Sequence, residues 1–394
     1  VRAINAQSGE QVFEEFTAQA DDKGEVLQAV TALVDDIREG LGDVIVEEDV
    51  ARETFTAASI EAVSYYTRAQ ALARSGRDEE AIPLYESATR EDPGFGRAYS
   101  GWALSEFNLG HSEKAEALWD KTLSLMDDMS DRERYRTLGL YYSIVAQNYS
   151  SAIENYELLV EKYPADSVGL NNLAVVYFFD RQFDEAMQAG KQVTTLYPEN
   201  PLFSANLALF AMYAGNWELA MREAEHALQL DDSYHKAYLP LAIAHLAAGA
   251  PNEAVAAYQK MASLGPRANS LAQQGLADVA LYEGRFADAI DILRPAIAAD
   301  QEQNNQRGVG RKTLSLARAQ MSLGETAEAA GSLAPLANTG SLAQAVSVAR
   351  VYVGVGKLEQ AEAIAARLDT NLNDEYRAAA AYLRGSIKLV EADY

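Results

Sequence analysis

A repeated spacing close to 34 residues constrains the fold of this 394-residue chain more than any other feature. Nine alanines recur in phase, and four of the eight intervals between them are 34 residues long, while the others lie between 32 and 40. They are Ala81, Ala115, Ala152, Ala186, Ala220, Ala254, Ala289, Ala329 and Ala361. Twelve residues before each of them stands another small or apolar residue, which is alanine in eight of nine cases. A period of this length predicts a linear array of stacked modules with no single globular core.

The residue five positions before each alanine of the series indicates where a helix ends. Seven of these nine residues are glycine, and the two exceptions are Gln147 and Arg181. Upstream of this position apolar residues fall at helical spacing, as in Leu170, Leu173 and Tyr177. We therefore predict two helices per unit, the first of which ends at a left-handed residue, the conformation that glycine adopts at lowest cost. Four prolines are expected to end second helices, namely Pro93, Pro164, Pro198 and Pro266.

This pattern resembles the tetratricopeptide repeat, with its 34-residue period and its phased small residues. The best local match combines Tyr65, Ala69 and Leu72 with Tyr85 and Pro93. The resemblance implies an all-α fold, a right-handed superhelical solenoid of about nine helix-pair repeats. The repeats are expected to start near residues 62, 96, 133, 167, 201, 235, 270, 310 and 342. A HEAT-like array, the alternative, has a longer period and lacks the phased glycine.

The array is predicted to occupy residues 61–375 and to follow a linker at 43–60. Residues 376–394 are expected to form a C-terminal helix, either a cap or the start of a truncated tenth repeat. Two segments break the register, at 126–132 and 300–309, and their polar composition predicts solvated surface loops.

The first 42 residues do not follow the period. Residues 1–19 are predicted to form a β-hairpin and residues 21–41 an amphipathic helix. This stretch resembles the end of a small α/β domain that precedes tetratricopeptide arrays in some bacterial membrane-anchored serine/threonine kinases, adenylate cyclases and related regulators. The resemblance implies the sensing or scaffolding part of a bacterial signalling protein, on the extracytoplasmic side of the membrane. Because no signal-peptide pattern follows Val1, we expect the chain to begin within a longer gene product.

Composition excludes several classes of function. A formal net charge of −25 argues against nucleic acid or an anionic membrane as the main partner, because both require a basic surface. The absence of cysteine excludes disulfides and thiolate chemistry, and four histidines leave little for a metal site. Because the chain contains no apolar run of 18 residues, we expect no membrane insertion. We also expect no cofactor and no metal.

No catalytic motif is evident. Gly308–Thr313 looks like a phosphate loop, but the upstream glycine is absent and no strand precedes it. Gly354–Lys357 is the glycine turn of the ninth repeat. We therefore expect a non-enzymatic protein; kinase or cyclase activity would need sequence outside these residues.

The resemblance implies that a peptide or protein segment binds on the concave surface formed by the first helices. The residues that map to this groove are Tyr141, Asn172, Val175, Phe178, Phe179, Asn206, Leu209, Met212, Tyr213, Arg318 and Arg350. Asn172 and Asn206 occupy equivalent positions, where an asparagine either grips a peptide backbone or caps and solvates the helix. The aromatic residues either contact a ligand or fill the core between repeats. A carboxylate clamp is not expected, because Thr137 and Tyr141 stand where Lys and Asn would be required.

Charge varies along the array. Residues 1–60 carry a net charge of −10, whereas residues 301–350 carry +2 and place Arg311, Arg318 and Arg350 on the inner face. The leading hypothesis is an interaction scaffold for a protein partner. The alternative is a structural protein whose arrays stack chain to chain, whereas a scaffold is expected to stay a monomer or a homodimer.

Overall fold

The computed structural model describes residues 56–74, 76–338, 341–371 and 373–391, with the single residues 17, 19, 29 and 33. Most of the hairpin predicted at 1–19, of the helix at 21–41 and of the linker at 43–60 lies outside the described residues. Within the described ranges the chain forms nineteen α-helices, three short 3-10 helices and no strand. The domain boundaries stay predictions. The chain divides into two compact units, Val1–Pro198 and Glu199–Tyr394.

Unit 1, residues 1–198, contains four helix pairs among its described residues. The helices are α1 (Ile60–Arg74), α2 (Asp78–Glu91), α3 (Gly96–Asn108), α4 (Ser112–Ser124), α5 (Asp131–Ile144), α6 (Tyr149–Lys162), α7 (Ser167–Phe179) and α8 (Phe183–Leu196). Each helix packs mainly on its neighbours in sequence, as expected for a repeat array.

Unit 2, residues 199–394, contains five helix pairs and one further helix among its described residues. The helices are α9 (Pro201–Tyr213), α10 (Trp217–Leu230), α11 (Tyr238–Ala247), α12 (Pro251–Ala262), α13 (Pro266–Tyr282), α14 (Phe286–Glu302), α15 (Gln306–Ser322), α16 (Thr326–Leu333), α17 (Leu342–Gly354), α18 (Leu358–Asp369) and α19 (Asp374–Glu391). Short 3-10 helices span Met126–Asp128 in unit 1, and His235–Ala237 and Ala334–Leu336 in unit 2.

The predicted repeat is confirmed at the level of single residues. Each first helix begins within four residues of its expected start. At all nine expected positions the first helix is followed by a residue with positive φ, between 49° at Gln147 and 83° at Gly110. Gln147 and Arg181 therefore adopt the left-handed conformation although they carry side chains. The all-α fold of about nine helix pairs is thus confirmed.

Small residues allow the helices to approach closely. Every alanine of the phased series is at most 2% exposed. Glycines act in the same way where an aromatic side chain packs against a first helix. A Cβ atom on Gly101 would lie 2.6 Å from the ring of Tyr85, and one on Gly275 would lie 2.3 Å from the ring of Tyr258. Larger residues at these sites would force the ring or the backbone to move.

The prediction of a solvated surface loop at 300–309 is wrong. Helix α14 continues to Glu302 and α15 already begins at Gln306, so that most of the additional residues lengthen two helices. The lengthened helices bring Asp300 and Lys312, each 1% exposed, into a buried ion pair of 2.5 Å. The segment Gly308–Thr313 lies inside α15, with Lys312 committed to this pair.

Two further details differ from the sequence-based expectation. Pro266 does not end a helix; α12 ends at Ala262, and Pro266 occupies the first turn of α13, where its missing N–H costs nothing. The segment at 126–132 is only partly a solvated loop. Met129 is buried, and Ser130 forms a capping box with Glu133 at the start of α5. Glu133 also accepts a 2.7 Å hydrogen bond from the hydroxyl of Thr56.

Candidate functional site

An apolar groove with a volume of about 600 Å³ opens on the first helices of unit 2. Helices α9, α11, α13 and α15 each contribute residues at equivalent repeat positions, and two residues of α12 close the base. The lining consists of Ala205, Asn206, Leu209, Lys236, Leu239, Ile243, Leu246, Ala247, Tyr258, Met261, Leu271, Gln274, Gly275, Asp278, Tyr282 and Arg311. We refer to this surface as the groove.

The base of the groove exists because large and small residues alternate between neighbouring helices. Tyr258 and Met261 are each 2% exposed, and the ring of Tyr258 lies against Gly275. A Cβ atom at position 275 would lie 2.3 Å from this ring, so glycine allows Tyr258 to pack closely against α13. Leu239 at the rim is 38% exposed and Tyr282 is 78% exposed. Exposed apolar side chains around a concave, apolar base are typical of a surface that binds a partner.

A small polar group lies on one wall of the groove. Gln274 donates hydrogen bonds of 2.8 Å to Asp278 Oδ1 and of 2.9 Å to Ser315 Oγ. Asp278 is exposed to the groove, but the surrounding wall removes part of its hydration and thereby raises its pKa. The hydrogen bonds from Gln274 and Ser315 act in the opposite direction, as do the charges of Arg318 and Arg311.

Basic side chains outnumber the single carboxylate, Asp278, on the surface of the groove. Lys236 and Arg311 line the groove, and Arg318 lies close enough to influence Asp278. Within the described parts of the chain, none of these three cations forms an ion pair. Their charges are therefore available to a ligand.

The residues predicted in unit 2 are divided between the groove and its surroundings. Asn206 and Leu209 line the groove. Met212 and Tyr213 lie one turn further along α9, outside the lining, and Tyr213 is 57% exposed. Arg318 and Arg350 are exposed on α15 and α17.

The residues predicted in unit 1 contact one another and their neighbours. Asn172 donates a 3.3 Å hydrogen bond to the buried hydroxyl of Tyr156, whose pKa burial raises to about 12. The ring of Tyr141 packs edge-on against Trp119, with centroids 5.5 Å apart. Val175 is half-buried on α7. The position of Asn172 thus gives it a structural partner.

Aromatic rings cluster at the end of α7. Phe179, which is 57% exposed, stacks on Tyr149 and contacts Phe178 edge-on. Phe178 in turn contacts Phe183 at a centroid distance of 5.8 Å. Phe178 and Phe179 therefore lie beside the turn that leads into α8.

Sequence reasoning missed most of the groove, although the period contained the signal. The residues equivalent to Leu209 in the next two repeats are Ile243 and Asp278, and both line the groove. In the same register, Met212 corresponds to Leu246 on α11 and Tyr213 corresponds to Tyr282 on α13. Among the described residues, no three His, Asp or Glu side chains are arranged to hold a metal ion. None of the described helices has the length and apolar character needed to cross a bilayer.

Two segments of the chain match models of the tetratricopeptide repeat. One match covers residues 69–96 and the other residues 275–337. Each unit therefore contains a segment that matches the tetratricopeptide repeat, and the second match includes part of the groove.

Curated relatives match over short stretches. The chain is 29% identical over 82 residues to the small glutamine-rich tetratricopeptide repeat-containing protein 2 of Saccharomyces cerevisiae, which is 21% of this chain and 24% of the relative. The protein of the same name from Mycosarcoma maydis is 31% identical over 97 residues, 25% of this chain and 27% of the relative. The matches thus span about a quarter of each relative's length. A solved tetratricopeptide repeat protein from Parabacteroides merdae is 14% identical with a TM-score of 0.47, over 66% of this chain and 99% of that protein.

Proposed function

We propose that this chain is a non-enzymatic scaffold that binds a segment of a partner protein in the groove of unit 2. The observation that carries the proposal is the groove itself, an apolar cavity of about 600 Å³ on the face formed by first helices. A cavity of this size accommodates one or two bulky apolar side chains, and each contributes about 1.5–3 kcal/mol when it leaves water. Asn206 also lines the groove, and an asparagine amide both donates to and accepts from a peptide backbone.

Selection from a random peptide library tests this proposal. Phage-displayed peptides of about twelve residues, long enough to cross several helices when extended, would be selected on the full chain. We expect enrichment of peptides with bulky apolar residues, and loss of their binding in Leu239→Glu, which places a charge on the groove. Leu389→Glu is the matched control, because Leu389 is a 67% exposed leucine on α19, outside the groove. Peptides that bind the Leu239→Glu variant as tightly as the wild type would contradict the proposal.

Chain-to-chain assembly is the second candidate function. Helix α19 buries Ala380, Leu383 and Ile387 but leaves Tyr382 and Leu389 exposed, at 53% and 67%. These exposed side chains favour association between copies. Sedimentation at several protein concentrations distinguishes the two functions, because assembly predicts a sedimentation coefficient that rises with concentration and falls in Leu389→Glu.

The proposed biological setting is the sensing or scaffolding part of a bacterial signalling protein on the extracytoplasmic side of the membrane. It is supported by the sequence resemblance of residues 1–42 and of the array that follows them. The complete reading frame is the test. A membrane-spanning segment and kinase or cyclase motifs upstream would support the setting, and an upstream sequence without them would contradict it.

A further inference from the structure

A second cavity in unit 2 adjoins the groove. It has a volume of about 1020 Å³ and lies between α15, the 3-10 helix at Ala334–Leu336 and the start of α17. Arg307 and Arg311 line it, together with Gln344 and Ser347. Arg311 also lines the groove, so this one side chain belongs to both surfaces. We refer to this second surface as the arginine cavity.

The charge of the arginine cavity is unbalanced. Arg307 and Arg311 are exposed, and neither forms an ion pair with any residue in the described ranges. The described lining of the cavity contains no acidic residue. Arg318 and Arg350 add two further exposed cations at equivalent positions of α15 and α17. This concentration of positive charge stands out in a chain with a formal net charge of −25.

We infer that the groove and the arginine cavity form one bipartite site, which binds a protein segment whose bulky apolar residues are followed by acidic side chains. The inference rests on the proposed function and adds the chemistry of the partner. Apolar side chains of the segment enter the groove, while its carboxylates accept hydrogen bonds from Arg307 and Arg311. The planar guanidinium group suits this role, because it binds a carboxylate through two parallel hydrogen bonds.

Asp278 determines the orientation in which the segment binds. Its carboxylate lies on the groove side of the shared Arg311. An acidic side chain placed in the groove would be repelled by Asp278, whereas both charged residues that line the arginine cavity, Arg307 and Arg311, are cations. The acidic part of the segment is therefore directed towards α17 and the apolar part towards α11. A nucleic acid fits poorly, because the net charge of the chain repels a polyanion.

The experiment uses the peptides selected on the full chain and measures their affinity by fluorescence polarisation. The test variant is Arg307→Gln with Arg311→Gln. The matched control is Arg294→Gln with Arg367→Gln, which removes the same charge from two exposed arginines of unit 2 outside both cavities. We expect Asp and Glu to be enriched beside the apolar residues, and the test variant to weaken binding about three- to tenfold, since exposed charge pairs are individually modest. The control should leave the affinity unchanged.

Replacing the acidic residues of a selected peptide by their amides should reproduce the loss in the wild-type protein and cause no further loss in the test variant. Raising the salt concentration should weaken binding to the wild type more than to the test variant. Peptides that depend on Leu239 but show no preference for acidic residues would overturn this inference and leave the proposed function intact. Peptides that bind independently of Leu239 would overturn the proposed function itself.

Discussion

At nine equivalent positions a left-handed residue ends the first helix of a pair, and at two of them this residue carries a side chain. Arg181 has φ of 64° and Gln147 has φ of 49°. The left-handed conformation costs a residue with a Cβ atom roughly 1–2 kcal/mol. Glycine avoids this cost but loses more entropy on folding, by about 0.5–1 kcal/mol. The two terms leave a net advantage for glycine at these turns.

We therefore predict that Arg181→Gly increases the free energy of unfolding by up to about 1 kcal/mol. The reverse change, Gly110→Ala, should reduce it by about 1 kcal/mol, because Gly110 has φ of 83° and a Cβ atom would meet only open space there. Urea denaturation followed by circular dichroism measures both changes. If Arg181→Gly destabilised the protein, the backbone cost at this turn would have been assigned wrongly.

The two equivalent asparagines differ in their surroundings. Asn206 lines the groove, whereas Asn172 donates a hydrogen bond to Tyr156 in unit 1. We predict that Asn206→Ala weakens the binding of groove-selected peptides several-fold, and that Asn172→Ala leaves their affinity unchanged. Equal losses in the two variants would show that Asn172 also contacts the ligand.

At the scale of the helices, an ion pair joins α14 and α15 inside unit 2. Lys312 donates to Asp300 Oδ2 at 2.5 Å and to Ser270 Oγ at 2.9 Å, while Asn305 donates to Asp300 Oδ1 at 3.0 Å. In this arrangement both buried charged groups have hydrogen-bond partners. Removing one partner leaves the other charge buried without compensation, which is far more costly than replacing both.

We predict that Asp300→Asn lowers the free energy of unfolding of unit 2 by about 3 kcal/mol. The double variant Asp300→Leu with Lys312→Met should recover most of this loss. Glu362→Gln is the control, because it weakens a partly exposed pair with Arg384 and should change stability by less than about 1 kcal/mol. Chemical denaturation of the three variants measures the difference. A double variant as unstable as Asp300→Asn would contradict the proposed energetics.

The ion pair of Asp300 and Lys312 also makes the stability of the folded state depend on pH. Burial by itself raises the pKa of Asp300, but the hydrogen bonds from Lys312 and Ser270 and the charge of Lys312 outweigh it and hold the pKa below its usual value. A lowered pKa stabilises the folded state at pH values above that of the unfolded carboxyl, about 3.9. The stabilisation is lost as the pH falls through the folded pKa. We predict that the unfolding midpoint of Asp300→Asn changes less than that of the wild type between about pH 5 and pH 2.

At the scale of the whole molecule, the chain consists of two compact units built from the same helix pair. Because repeats contact mainly their neighbours in sequence, stability is approximately a sum of local terms, and a single cooperative transition is not expected. The three tryptophans report on different units: Trp102 and Trp119 lie in unit 1, and Trp217 lies in unit 2.

We predict that Asp300→Asn leaves the unfolding of unit 1 unchanged. In a Trp217→Phe background, fluorescence reports only Trp102 and Trp119, and its midpoint should be the same with and without Asp300→Asn. Circular dichroism, which reports all helices, should show the loss. A shift of the fluorescence midpoint would show that the two units unfold together.

The sequence by itself determined the repeat, the positions of the helix pairs, the left-handed turns and the buried alanines. These features follow from contacts within one turn or one helix pair, so residue spacing contains them. The tertiary structure alone decided which inner-face residues line a groove. The partnership of Asn172 with Tyr156, the packing of Tyr258 against Gly275, and the pairing of Asp300 with Lys312 depend on residues that meet across neighbouring helices. Since spacing specifies which residues share a face but not how their side chains fill it, the groove appears only in three dimensions.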